Sequence, residues 1–131
     1  MKGVDTNVLV RYITQDDYSQ SAKATHFIEK ECSATTPAVI NGMVLCELVW
    51  VLETAYEYTR EEIVPVLEKI LKTRQFHINE SHILWQAFRN YKNTSVGFSD
   101  HYINSVNLHH NCDHTFTFDK KAARLPGFKL L

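Results

Sequence analysis

The chain has 131 residues, the length of one ordinary domain, so we predict a single domain over residues 1–131. Apolar residues make up 44% and charged residues 22%, values typical of a globular protein with its own core. Lys and Arg number 14 against 15 Asp and Glu, and the pI is about 6.6. A nucleic-acid binder that relies on bulk positive charge usually has a pI above about 9, so this class is disfavoured. Contact with phosphates through bound metal is not excluded.

The cysteines and the apolar segments indicate the compartment. Cys32, Cys46 and Cys112 are odd in number and far apart, which favours reduced thiols in a cytosol over a disulfide framework. The N-terminus shows no apolar segment of the signal-peptide kind. The most apolar stretch, residues 43–52, is ten residues long, whereas a membrane-spanning helix needs about 20. We therefore expect a cytoplasmic protein without a membrane segment.

Short β-branched or apolar runs alternate along the chain with longer segments in which apolar residues recur every three to four positions. In chain order we predict a strand at 2–5, helices at 7–13 and 22–31, a strand at 35–40, a helix at 41–56, a helix that begins at the capping box 59–62, a strand at 76–78, helices at 81–91 and 98–111, and strands at 114–118 and 128–130. This alternation predicts an α/β fold with a parallel sheet. In such sheets ligands bind beyond the carboxyl ends of the strands.

Glu47 is the most informative single residue, because it is the only polar residue in the run 43–52. An ionised carboxylate in apolar surroundings is costly unless it is paired, hydrogen-bonded or bound to metal. The alternative is a narrow exposed stripe on an otherwise buried helix. Val44 and Val51 share that stripe, so we expect Glu47 not to be freely exposed, and the sequence favours a functional role.

Three aspartates stand at the ends of predicted elements. Asp5 follows the first strand, Asp100 lies at the start of the helix 98–111, and Asp119 follows the strand 114–118. Each has an alternative role as a helix N-cap, because Asp is a favoured residue there. For Asp5 the two roles are balanced. For Asp100 a cap by Ser99 or Asp100 itself is favoured, and Asp119 is placed to cap a short helix at 120–124.

Together the four carboxylates predict a metal site. Oxygen ligands without His or Cys select Mg²⁺ or Mn²⁺. Four converging acids without a cation would repel one another and raise their pKa values. Asn7 is predicted either to orient Asp5 or simply to occupy the first helical turn. Thr117 is predicted either to hydrogen-bond a neighbouring carboxylate or to be an ordinary β-branched strand residue.

Four motifs carry a family resemblance that covers nearly the whole chain. They are VDTNVLVRY at 4–12, LCELVWVL at 45–52, GFSD at 97–100 and TFDKKAA at 117–123. In this order and spacing they resemble the PIN-domain family, and more narrowly the VapC-type ribonuclease toxins of prokaryotic toxin–antitoxin pairs. The resemblance implies a single α/β/α sandwich whose parallel sheet has about five strands in the order 3-2-1-4-5.

The resemblance also implies an activity and its residues. It implies cleavage of single-stranded or looped RNA by a metal-activated water, with one or two Mg²⁺ or Mn²⁺ ions. The implied ligands and catalytic residues are Asp5, Glu47, Asp100 and Asp119. Members are commonly homodimers, and a small antitoxin inhibits them by threading a C-terminal segment across the site.

The segment after Asp119 and the helix after Asp100 hold further polar residues. Exposed cations at Lys120, Lys121 and Arg124 are predicted either to contact the RNA backbone or to form a solvated helix face. His101 and Asn104 are polar where the family usually has Ala. Asn104 is expected to face solvent, with a place in the second shell of the metal as the alternative.

Other residues of the chain suggest rival assignments. His109, His110, Cys112 and His114 resemble a zinc-binding tract, but no second ligand pair stands at the usual spacing. A haloacid-dehalogenase phosphatase needs a second Asp where this chain has Asn7, and a receiver domain needs adjacent acids near Asp5. A PIN nuclease of RNA processing or turnover without a toxin role, or a non-catalytic metal-binding interaction module, remains an alternative. Setting the four carboxylates aside changes the net charge from −1 to +3, which suits a metal-mediated contact with phosphate.

Overall fold

The computed structural model describes all 131 residues, Met1–Leu131. The chain divides into two compact units, Met1–Glu80 and Ser81–Leu131. Each unit contains its own helices and its own parallel strands. The assignment of residues 1–131 to one domain stays a prediction.

The first unit alternates short strands with pairs of helices. Strands β1, β2 and β3 form a parallel sheet in that order, in the register Lys2 opposite Ala38 and Ala38 opposite Phe76. Parallel neighbours need long crossover connections, and two helices fill each of them. The elements are β1 (Lys2–Gly3), α1 (Thr6–Thr14), α2 (Tyr18–His26) with a π-helical turn (Phe27–Glu31), β2 (Ala38–Ile40), α3 (Gly42–Thr54), α4 (Arg60–Lys72) and β3 (Phe76–Ile78).

Helices α3 and α4 begin at side-chain caps and bury one apolar stripe each. The Asn41 side chain accepts a hydrogen bond from the backbone N of Val44 at 3.0 Å and so begins α3. Thr59 and Glu62 form the predicted capping box of α4. The periodic apolar residues of both helices are buried, as the sequence predicts: Leu45, Leu48, Val49, Leu52, Ile63, Leu67, Ile70 and Leu71.

The second unit is a helical pair followed by two strands. It consists of α5 (Ser81–Asn93), α6 (Phe98–His109), β4 (Thr115–Thr117), a 3₁₀ turn (Ala122–Arg124) and β5 (Phe128–Leu130). Tyr91 of α5 meets Phe98 of α6 edge to face, with ring centroids 5.7 Å apart. Val96, Ala122 and Phe128 form a buried cluster, against which Leu125 packs.

The α/β class with parallel strands is confirmed, and the strand pairing differs from the prediction in one respect. Instead of one sheet of about five strands, hydrogen bonding gives a three-stranded sheet, β1-β2-β3, and a two-stranded sheet, β4-β5. Within each sheet the neighbours are those predicted. The strand predicted at 2–5 shortens to Lys2–Gly3, because Asp5 already serves as the N-cap of α1. No helix is long and apolar enough to cross a membrane.

The structure contradicts the expectation that Asn104 faces solvent. Asn104 is 4% exposed, its Oδ1 accepts from the Thr115 hydroxyl at 2.8 Å, and its Nδ2 donates to the Pro126 carbonyl at 3.4 Å. Buried amides need such partners, so this side chain connects α6 with β4 and the segment before β5. His101 is also buried, with Nε2 at 2.7 Å from the Thr94 hydroxyl.

We expect Gly127→Ala to destabilise the second unit. Gly127 has φ +88°, and an added Cβ would lie 2.7 Å from Asn104 Nδ2. The left-handed backbone and this contact should lower the free energy of unfolding by about 1–3 kcal/mol, measured by urea denaturation. Gly3→Ala is the control, because its added Cβ meets nothing within 4 Å, and it should change stability by less than about 0.5 kcal/mol. Equal losses in both variants would contradict the expectation.

Candidate metal centre

Asp5 takes the capping role, one of the two roles that the sequence leaves open. Its Oδ1 accepts a hydrogen bond from the backbone N of Thr6 at 2.7 Å, and the residue is the N-cap of α1. The cap prediction is thus confirmed. The residue is exposed, and Oδ2 makes no hydrogen bond within the chain. The helix N-terminus therefore fixes the carboxylate while one oxygen stays accessible to a ligand.

Glu47 lies on the exposed side of α3, so the expectation that it is shielded was wrong. Met43, Glu47 and Trp50 follow i, i+4, i+7 spacing, and Met43 and Trp50 are 67% and 64% exposed. Val44 is buried and Val51 is half-buried, so the structure agrees with the alternative, a narrow exposed stripe on an otherwise buried helix. Because the Glu47 carboxylate is exposed to water, it does not need a metal ion or an ion-pair partner to be stable.

Thr6 connects these two carboxylates and was missed at the level of sequence. Its backbone N donates to Asp5, and its hydroxyl donates to Glu47 Oε1 at 3.2 Å across 41 residues of sequence. Thr6 is 5% exposed, so this contact is held rigidly. The available signal was a hydroxyl residue at the first helical position, directly after a carboxylate at a strand end. Asn7 is exposed in the first turn of α1 and makes no hydrogen bond to Asp5.

Asp100 lies in the first turn of α6 and is half-buried. The N-cap is Gly97, without a side-chain hydrogen bond, so the expected cap by Ser99 or Asp100 is wrong. The helix begins at Phe98, two residues earlier than a Ser99 cap requires, and the Phe98 side chain is buried. Burial raises the pKa of Asp100, and the negative charge of Asp119 raises it further.

Asp119 is fixed by the turn that follows it. Its Oδ1 accepts from the backbone N of Lys121 at 2.8 Å and of Ala122 at 3.2 Å. The predicted helix at 120–124 is only a 3₁₀ turn at Ala122–Arg124 whose N-cap is Lys121, so the prediction that Asp119 is the N-cap was wrong. Thr117 Oγ1 accepts from the backbone N of Asp119 at 3.0 Å. Thr117 thus holds the backbone of Asp119 and not, as expected, a carboxylate.

Each unit therefore carries two of the four predicted acids, all at element termini or on an exposed helix face. No group of three or more His, Cys, Asp or Glu side chains stands ready to hold a metal ion. The donors are carboxylate oxygens, which fit Mg²⁺ or Mn²⁺. Mg²⁺ usually keeps several waters and uses one or two carboxylates together with substrate phosphates, so the donor set suits that ion.

The basic residues after Asp119 and the histidine tract lie at the surface. Lys120, Lys121 and Arg124 are exposed, and none takes part in an ion pair. His109, His110, Cys112 and His114 are exposed too, and the His109 ring contacts the ring of His82.

We expect Asp100→Asn to stabilise the protein near neutral pH. Because the folded state raises the pKa of Asp100, ionisation of this carboxyl opposes folding. The stability it contributes is present at low pH and is lost as pH rises through the raised pKa. Urea denaturation from about pH 7 down to about pH 4 should show a gain that shrinks as the wild-type carboxyl becomes protonated.

The control for this measurement is Asp113→Asn. Asp113 is exposed and makes no hydrogen bond or ion pair. It should show no such pH-dependent gain. A gain of equal size at every pH would contradict the electrostatic explanation.

Comparison with known proteins identifies the family. The chain is 27% identical over 100 residues to a VapC ribonuclease of Aquifex aeolicus (strain VF5). The aligned residues cover 76% of this chain and 73% of that protein. No solved structure matches the chain. The match confirms the resemblance seen in the motifs. The family model of the PIN domain matches residues 3–127, and this protein therefore belongs to the PIN-domain family.

Proposed function

We propose that this protein is an Mg²⁺- or Mn²⁺-dependent endoribonuclease that acts as the toxin of a toxin–antitoxin pair. The proposed ligands and catalytic residues are Asp5, Glu47, Asp100 and Asp119. The observation that carries the proposal is the half-buried carboxyl of Asp100, whose pKa is raised by burial and by Asp119. A divalent cation would relieve that repulsion. Family membership and similarity to a VapC ribonuclease support RNA as the substrate.

The chemistry divides between the metal and the chain. When bound, one or two Mg²⁺ or Mn²⁺ ions would supply an activated water near neutral pH and stabilise the negative charge on the leaving oxygen. Asp5 and Asp119 suit the part of fixed ligands, because backbone N–H groups hold one oxygen of each. Glu47, held by Thr6, either ligates as well or orients the attacking water.

The chain also offers groups that suit an RNA strand. Asp5 and Asn7 lie on the wall of a cavity of about 440 Å³, whose lining includes Lys23 and Phe27. In the second unit Lys120, Lys121 and Arg124 are exposed and free of ion pairs, so they are available to phosphates. We assign these three cations the role of sequence-independent backbone contacts.

The proposed toxin role implies an inhibitor protein, a subunit arrangement and a cellular compartment. We propose a cognate antitoxin protein as inhibitor and a homodimer as the working form. Exposed apolar side chains, such as Met43, Trp50 and Phe118 at 64–79% exposure, are available for such contacts. Cys32, Cys46 and Cys112 form no disulfide, which supports a cytoplasmic location.

We expect purified, antitoxin-free protein to cleave RNA with Mg²⁺ or Mn²⁺ and to lose this activity with EDTA. Loss of outer-shell partners typically costs about 10–100-fold, so loss of a direct ligand in Asp5→Asn or Asp119→Asn should cost more than about 100-fold. The measurement is the initial rate of cleavage of a labelled single-stranded RNA.

The matched control is Asp113→Asn, which removes an exposed carboxylate outside the proposed ligand set and should retain the wild-type rate. Expression of the wild type, but not of Asp5→Asn, should arrest growth of a bacterial host. Intact RNA after incubation of the wild type with either metal would overturn the nuclease assignment. Cleavage without growth arrest would favour RNA processing over a toxin role.

We expect Lys120→Ala and Lys121→Ala to weaken RNA binding by the same factor for different sequences. Each lost phosphate contact should reduce the slope of log K against log salt by about 0.7, the value for single strands. The measurement is fluorescence anisotropy of labelled RNA with the non-cleaving Asp5→Asn protein. Lys92→Ala, at an exposed lysine of α5, is the control and should leave the slope unchanged. If the slope of log K against log salt were unchanged in both test variants, these lysines would belong to a solvated helix face and would not contact RNA.

A further inference from the structure

Two histidines distant in sequence meet at the surface of the second unit. His82 lies in the first turn of α5, and His109 is the last residue of α6, 27 positions later. His82 Nε2 and His109 Nδ1 are 3.4 Å apart, and the ring centroids are 4.9 Å apart. We propose that this pair is a binding site for a divalent transition-metal ion of the Zn²⁺ type.

The distance between the two nitrogens fits two ligands of one ion. Metal–nitrogen bonds to Zn²⁺ are about 2.0–2.1 Å, so two corners of a tetrahedral site are about 3.3–3.4 Å apart. A direct N–H hydrogen bond is usually shorter, about 2.7–3.2 Å. The observed 3.4 Å is at the long end of hydrogen-bond distances, and it equals the separation expected for two nitrogens that bind one ion. Both side chains are exposed, so water can fill the remaining positions.

The site differs in chemistry and position from the proposed catalytic centre. Imidazole suits Zn²⁺, Cu²⁺ and Ni²⁺, whereas carboxylates suit Mg²⁺ and Mn²⁺. Asp100 and His109 are nine positions apart on α6, which corresponds to about 14 Å along the helix axis. The proposal therefore stands independently of the nuclease assignment.

An ion bound by His82 and His109 would stabilise the packing of α5 against α6. The ion would connect the first turn of α5 to the last turn of α6. An ion that binds the folded chain and not the unfolded one stabilises the fold by mass action. Zn²⁺ should therefore raise the thermal midpoint of unfolding, and Mg²⁺ should not do so through this site.

Isothermal titration of tag-free protein with ZnCl₂ tests the proposal. We expect one ion per chain in the wild type and loss of this binding in both His82→Ala and His109→Ala. Far-UV circular dichroism checks that these surface variants fold. His114→Ala and Cys112→Ser are matched controls, because both residues are exposed members of the adjacent tract and neither contacts His82.

The controls are expected to bind Zn²⁺ as the wild type does, and the thermal midpoint should rise with Zn²⁺ in both. Absence of binding in the wild type overturns the proposal, as does binding that persists in either histidine variant. Equally complete loss in a control variant overturns the assignment to His82 and His109.

Discussion

The contact of Thr6 with two carboxylates is the interaction on which the first unit's proposed chemistry depends. Its backbone N–H fixes Asp5 at the point where the chain leaves β1 and enters α1. Its hydroxyl reaches Glu47 on α3, which follows the next strand. Because Thr6 itself is buried, the positions of both acids are set by the packing of α1. The buried residue Thr6 thus links the packing of α1 to the positions of the Asp5 and Glu47 carboxylates.

The second unit obtains its two acids by different means, and the difference has an electrostatic cost. Asp119 is stabilised by two backbone N–H donors, whereas the carboxyl of Asp100 makes no hydrogen bond and is half-buried. Loss of contact with water therefore raises the pKa of Asp100. Functional sites commonly contain ionisable groups with shifted pKa values. A bound ligand of opposite charge stabilises the ionised form of such a group.

The sequence predicted element identity well, because its periodic apolar residues and capping motifs act locally. The capping box at Thr59 and the strands at Phe76–Ile78 and Phe128–Leu130 agree with the structure. Exposure was harder to predict. Helical periodicity shows that Glu47 and Val44 lie near one another, but only the neighbouring elements determine that Val44 is covered and Glu47 is not. For the same reason Asn104 could not be recognised as buried from its own helix. Its partners are Thr115 and the carbonyl of Pro126, which lie in other elements.

The buried amide of Asn104 constrains how this chain can change over evolution. Its side chain fills the space over Gly127 and satisfies the hydroxyl of Thr115. A small apolar residue at position 104 would leave that hydroxyl with one fewer partner and would open room beside position 127. The three positions are therefore energetically coupled. Among relatives they should vary as a set, and a substitution tolerated in a chain with alanine at position 104 should be deleterious in this one.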